Sequence, residues 1–296
     1  MGFKLEDAGL QLPRFVDFLD DRAIDHITTA LALMWAQQPV SVLPAEWARR
    51  LGYVRCFARY RSAVDARTEI PRAGLLPHRS TRARPYLYSD AEVEQLLAAA
   101  LRLPTSWHGT PLRPWVFYCL LGLLCTTGLR MSEALALHVD DLDVEQSVLT
   151  IRGAKLGRIR LVPLHASTLK VLVDYLLRRE ECYGLAISPY IFVSNRGTRL
   201  DQAQLHRTFY ELSRGVGLRG ANASSGPRLH DFRHRFAVRV LTHWYEAGED
   251  AARRLPVLSA YLGHVHVADT YWYLSAWPEL MTQAMARVER RWGVAS

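Results

Sequence analysis

The segment Pro71-Arg-Ala-Gly-Leu-Leu-Pro77-His-Arg-Ser-Thr-Arg-Ala-Arg-Pro85 sets three prolines and four arginines within fifteen residues. Each proline fixes its own φ and lacks a backbone donor, so neither a helix nor a central strand runs through such a stretch. It reads as a linker that follows an anion rather than as a packed element. The chain therefore divides into residues 1–84, ending in the linker 71–85, and residues 85–296.

Both parts are rich enough in apolar residues to fold. With 296 residues, 49% of them hydrophobic, the chain can bury two modest cores, and disorder is not the default. No apolar run has the length of a membrane span, and Met1-Gly2-Phe3-Lys4-Leu5-Glu6 carries no signal-peptide pattern. These features predict a soluble, cytoplasmic protein. Cys56, Cys119, Cys125 and Cys182 show no C-x-x-C spacing and read as buried thiols, not as a disulfide frame or zinc knuckle.

The net charge is +8, and residues 45–85 hold ten arginines against Glu46, Asp65 and Glu69. So concentrated a basic segment suits a polyanion such as DNA. Arg49, Arg50, Arg55, Arg59, Arg79, Arg82 and Arg84 are its candidate contacts. The plainer alternative is a solvated Arg-rich helix with a linker. A membrane-surface helix fits less well, because the stretch lacks a continuous apolar face. Only Lys4, Lys155 and Lys170 occur among 37 basic side chains. An ammonium can give up a proton near neutral pH and a guanidinium cannot. Lys155, within Arg152-Gly-Ala-Lys155-Leu-Gly-Arg158, is thus a candidate proton donor.

Apolar periodicity predicts helices over 15–36 and 43–64, and no strand before residue 86, so the N-terminal part reads as a small helical bundle. Ser89-Asp-Ala-Glu92 opens a helix over 90–101 with a capping box. Residues 114–127 form a nearly all-apolar helix that stops at Gly128, and another helix starts at Ser132. Segments 147–152 and 158–163 predict a hairpin with Lys155 at its tip. Helices over 166–181, 201–214 and 229–246 and a strand over 190–194 complete the pattern, with Phe232, Phe236, Val240 and Trp244 as the buried face of the last helix. The expected fold is mostly α with a small antiparallel β-sheet.

Several side chains carry possible chemistry. His230 and Arg233, three apart at a helix start, project to one side and can converge on a phosphate. His230 and His234 also have metal-ligand spacing, but Asp231 stands where a zincin needs Glu and no third ligand follows. Arg130, just past an apolar helix, needs an anion or Glu133 to receive it. Asp140, Asp141, Asp143 and Glu145 lie too close in sequence to encircle two metal ions and read as turn and cap residues. Tyr271 and Tyr273, flanking Trp272, would each pass for core residues if taken alone.

Taken together, Gly128-Leu-Arg130-Met-Ser-Glu133, Lys155, His230-x-x-Arg233, Leu262-Gly-His264 and a tyrosine nine residues later resemble the tyrosine recombinase (phage integrase) family in order and spacing. The resemblance covers about residues 86–275, and the helical, basic N-terminal part looks like that family's core-binding domain. Gly-Ala-Lys155-Leu-Gly departs from the family's common Gly-Lys-Gly turn. The resemblance implies a C-shaped DNA clamp and catalytic Arg130, Lys155, His230, Arg233, His264 and Tyr273, with Glu133 as support. No metal or other cofactor is implied. Tyr273, not Tyr271, holds the ninth position after His264.

It implies a site-specific recombinase that forms a 3′-phosphotyrosyl intermediate and acts as a tetramer on paired sites in the bacterial cytosol. A mobile-element role in integration, excision or transposition is expected. A type IB topoisomerase and a non-cleaving DNA-binding accessory protein are the rival readings. The tail 278–296 presents Leu280, Met281, Ala284, Met285, Val288 and Trp292 on one helical face, which docks either on a neighbouring subunit or on its own domain.

Overall fold

The computed structural model describes residues 6–76, 85–105, 112–152, 159–184, 188–223 and 225–276. The chain forms two compact units, Met1–Ala83 and Arg84–Ser296. It is mostly helical, with one three-stranded antiparallel sheet.

The first unit contains α1 (Glu6–Asp20), α2 (Thr29–Gln37) and α3 (Pro44–Arg61). Residues 15–36 are thus not one helix. The chain turns at Ala23, whose φ is +52°, and Thr28 starts α2 by accepting a hydrogen bond from the Leu31 N–H. The polar run Asp20-Asp21-Arg22 offers nothing to bury, while Ile24 and Ile27 continue the apolar spacing from outside a helix. Phe15, Phe18, Trp35, Leu51 and Val54 form the core of this unit, with Phe15 edge-on to Trp35 at 5.2 Å.

In the second unit α4 (Asp90–Leu101) opens with the expected capping box: the Ser89 hydroxyl accepts from the Glu92 N–H, and the Glu92 carboxylate from the Ser89 N–H. The central α5 (Leu112–Thr127) is buried along most of its length. It packs against α4, α7 (Ala166–Tyr183) and α9 (Asp231–Glu246), while α8 (Gln202–Gly215) packs on α4. The helix expected from Ser132 is a single turn, α6 (Met131–Ala134), because the chain leaves to pair Leu137 and Val139 with residues 189–191.

Strands β2 (Val148–Ile151) and β3 (Arg160–Pro163) form the expected hairpin, in a register that sets Leu149 opposite Val162. A third strand, β1 (Leu142–Asp143), pairs with β2. The strand expected over 190–194 does not form. Its backbone splits between a bridge to His138 at Tyr190 and one to Arg199 at Val193, so neither ladder grows.

Two further helices, α10 (Ala251–Leu262) and α11 (Ala268–Ala276), follow α9. Sequence periodicity did not reveal α10, because Pro256 and Arg253-Arg254 interrupt its apolar pattern. The buried face of α9 is wider than expected. Phe232 is buried; Phe236, Val240 and Trp244 are partly covered and pack against the same cluster as the buried Ala237, Val238 and Leu241, which α10 and α11 complete. The whole first turn of α9, Asp231 to Arg235, is enclosed, polar side chains included.

Candidate functional site

The site grows from the end of α5. Gly128 closes that helix with φ +62°, and a Cβ there would lie 2.6 Å from the Phe236 ring. A left-handed residue in so little space has to be glycine. Arg130 then begins α6. Its N–H and its Nη1 donate to the two oxygens of Glu133 at 2.8 and 2.9 Å.

Glu133 is buried and serves a second cation as well. Arg160, the first residue of β3, donates to both its oxygens at 2.9 and 2.8 Å. Burial alone would raise the Glu133 pKa; the hydrogen bonds and charge of Arg160, followed by those of Arg130, outweigh it and hold the group at about 2. One carboxylate therefore stays ionised between two guanidiniums.

Arg233 stands in the first turn of α9 and is fully buried. Its Nη1 donates to the Gly128 carbonyl at 2.9 Å and its Nη2 to that of Leu262 at 2.5 Å. Burial and the nearby Arg130 lower its pKa to about 10, which leaves it a cation at neutral pH.

The carboxyl end of α10 gathers all three arginines. The Tyr261 carbonyl accepts from Arg160 Nε at 2.8 Å, that of Leu262 from Arg233, and that of Gly263 from Arg130 Nη2 at 3.1 Å. The last carbonyls of a helix lack intrahelical partners and carry its negative pole, so cations collect there. Gly263 caps the helix in the left-handed conformation and delivers His264, whose Nδ1 is 2.7 Å from the buried Thr270 hydroxyl.

Tyr273 completes the cluster from α11. It is buried, with its ring 6.4 Å from that of His264 and nearly parallel to it, whereas Tyr271 faces outward. Its hydroxyl lies 3.2 Å from Nδ1 of His234. His230 is exposed, with its ring perpendicular to His234 at 4.7 Å. Desolvation by the surrounding fold, then the charge of Arg233, lowers the His230 pKa.

Of the residues expected from sequence, Arg130, Glu133, His230, Arg233, His264 and Tyr273 thus lie in one cluster. Lys155 lies outside the described residues, as do Arg79, Arg82, Arg84 and the tail 278–296. Arg160 and His234 join the cluster without having been singled out as part of it. The i,i+4 spacing of His230 and His234 was the available signal for the second; Arg160 had none, since its partners are distant in sequence. Among the described residues no group of three or more His, Cys, Asp or Glu is arranged to hold a metal ion. Asp141 accepts from the His138 N–H and pairs with Arg152, which makes it a cap and an ion-pair partner. No helix among the described residues is long and apolar enough to cross a membrane.

The basic residues of the first unit differ from one another. Arg50 is buried, stacks on Trp35 at 3.8 Å and donates to the Trp35 carbonyl and to Gln11, so the structure places it in the core of the first unit. Arg49 pairs with Glu46 and Asp7, and Arg55 donates to the carbonyls of Pro71 and Arg72. Arg59 is exposed.

Residues 87–279 match the phage integrase family. The chain is 58% identical over 293 residues to the putative integrase/recombinase y4rB of Sinorhizobium fredii, covering 99% of this chain and 93% of that protein. It is 31% identical to the tyrosine recombinase XerD of Caulobacter vibrioides, over 92% of this chain and 83% of that one. Among solved structures, the Tn1549 transposon integrase in complex with transposon right end DNA has a similar fold, with a TM-score of 0.66 and 18% identity over 96% of this chain and 93% of that one. The XerH recombinase in a post-cleavage complex with its difH substrate has a TM-score of 0.65 and 18% identity, over 88% and 72% of the two chains. The chain belongs to the phage integrase family, as a tyrosine-type site-specific recombinase.

Proposed function

We propose that the protein cuts and rejoins DNA through a covalent bond to Tyr273. The phenolic oxygen attacks a phosphodiester in line; the new bond joins it to phosphorus, and the bond to the 5′ oxygen breaks. A 3′-phosphotyrosyl link and a free 5′-hydroxyl result. Arg130 and Arg233 neutralise the non-bridging oxygens, which otherwise repel the nucleophile. His264 adds a hydrogen bond to the phosphate. His230, with a lowered pKa, is neutral near pH 7 and takes the phenolic proton or shares the clamp. Lys155 gives a proton to the departing oxygen. The link keeps the energy of the broken bond, so a second 5′-hydroxyl reverses the step without ATP.

The observation that carries this reading is the seat of the Tyr273 hydroxyl, within one enclosed cluster that also holds Arg233, His264 and His234. His234 orients the hydroxyl until DNA arrives, and engagement exchanges that contact for one to phosphorus. Four protomers act on two paired sites, for the movement of a mobile element. The 58% identity to the putative integrase/recombinase y4rB supports the recombination part of this reading.

A nicked duplex that sheds a short 5′-hydroxyl strand on cleavage traps the intermediate. The wild-type protein is expected to form a covalent adduct whose peptide map carries the modification on Tyr273. Tyr273→Phe is expected to bind the duplex and form none. An adduct that survives in that variant would refute the assignment.

A further inference from the structure

We infer that Arg160 is a positioning residue for strand cleavage: its guanidinium fixes both the carboxylate that holds Arg130 and the helix end that bears His264. The inference rests on the reaction proposed above.

Arg160 joins three parts of the site that are remote in sequence. Its Nη1 and Nη2 each donate to one oxygen of Glu133, on α6, and its Nε donates to the Tyr261 carbonyl, on α10. All three nitrogens are therefore engaged inside the protein, and the side chain is only 12% exposed. Arg130, on the other side of the same carboxylate, is 35% exposed and presents its charge outward. In this assignment Arg160 acts through Glu133 and the end of α10, the groups that engage all three of its nitrogens.

The packing beneath it is equally specific. A Cβ on Gly263 would come within 2.8 Å of Arg160 Nη1, and Gly263 has φ +67°. The turn into His264 is therefore moulded on this guanidinium. A lysine could supply the charge there, but not the planar fork that reaches two oxygens and a carbonyl together.

Charge and geometry make separable predictions. Glu133 is faced by Arg130, Arg160 and Arg233. Without Arg160, burial works against the ionised form with only the remaining arginines to oppose it. Glu133 then takes up a proton in mildly acidic solution, and Arg130 loses its anchor.

The test measures adduct formation on the nicked duplex, at saturating DNA, from mildly acidic to mildly alkaline pH. Arg160→Ala is expected to bind the duplex with unchanged affinity but to cleave about a hundredfold more slowly. Its rate is also expected to fall more steeply toward acid than that of wild type, and Arg160→Ala with Glu133→Gln should lose that extra fall. Arg160→Lys should restore the wild-type pH profile without restoring the full rate. An Arg160→Lys protein as fast as wild type at every pH would overturn the inference, and this variant decides the matter if the alanine one fails to fold. So would an Arg160→Ala protein whose pH profile keeps the wild-type shape. Absence of any wild-type adduct would instead remove the reaction itself, and the inference with it.

Discussion

Gly128 shows how one residue without a side chain holds a buried cation in place. Its backbone is left-handed, its missing Cβ makes room for Phe236, and its carbonyl receives Arg233. In Gly128→Ala the left-handed conformation alone costs about 1–2 kcal/mol. The clash with Phe236 adds to that. Chemical denaturation should show a larger loss than that backbone term, together with slow cleavage as the Arg233 seat shifts. Glu133 makes a second prediction, about pH. Its pKa is lowered from the ordinary 4.5 to about 2, so its contribution to stability is complete above 4.5 and is lost as pH falls toward 2. The stability gap between wild type and Glu133→Gln should therefore be widest near neutral pH and close through that interval; a gap constant with pH would contradict it. Arg130, His230, Arg233, His264 and Tyr273 were legible in sequence because the motifs carry them at fixed spacing. Arg160 was not, since its meaning depends on Glu133, 27 residues away, and on the Tyr261 carbonyl, 101 residues away.

Among the elements, sequence legibility followed how locally each one is determined. The start of α4 could be read directly, because a capping box involves only residues 89–92 and satisfies two backbone donors reciprocally. Ser89→Ala should lower stability by about 1 kcal/mol, measured by denaturant titration, and leave cleavage unchanged. The central α5 was legible from its apolar length, and β2–β3 from alternation. The break between α1 and α2 was not, since Ile24 and Ile27 continue the apolar spacing while the polar turn between the helices leaves that pattern intact. Strand 190–194 failed for the opposite reason: its residues have β character, but their partners lie on two different segments. On α9, i+4 spacing favoured the face with Phe236 and Trp244. The neighbours that complete the burial, α10 and α11, gave no warning, and they extend it to Ala237, Val238 and Leu241. Their arrival also encloses His234 and Tyr273 together.

For the whole molecule, composition foretold a basic protein with a concentrated arginine segment, but not which arginines remain available. A guanidinium stacked on Trp35 and bonded to a buried carbonyl is part of a core, whereas Arg59 stands in solvent on the same helix. Counting basic residues along a sequence cannot separate the two cases, because both satisfy the same composition. DNA binding can. Each phosphate contact releases counterions, so affinity falls with salt at a slope set by the number of contacts. With the full chain and a duplex of fixed length, Arg59→Ala should weaken binding about equally for all sequences and reduce that slope by about one. Arg50→Ala should leave the slope alone and lower the melting temperature, since it empties space against Trp35 and removes one of the donors to the Trp35 carbonyl. If the two variants instead shifted the slope equally, with no difference in stability, Arg50 would belong to the DNA surface and the packing account of the first unit would be wrong.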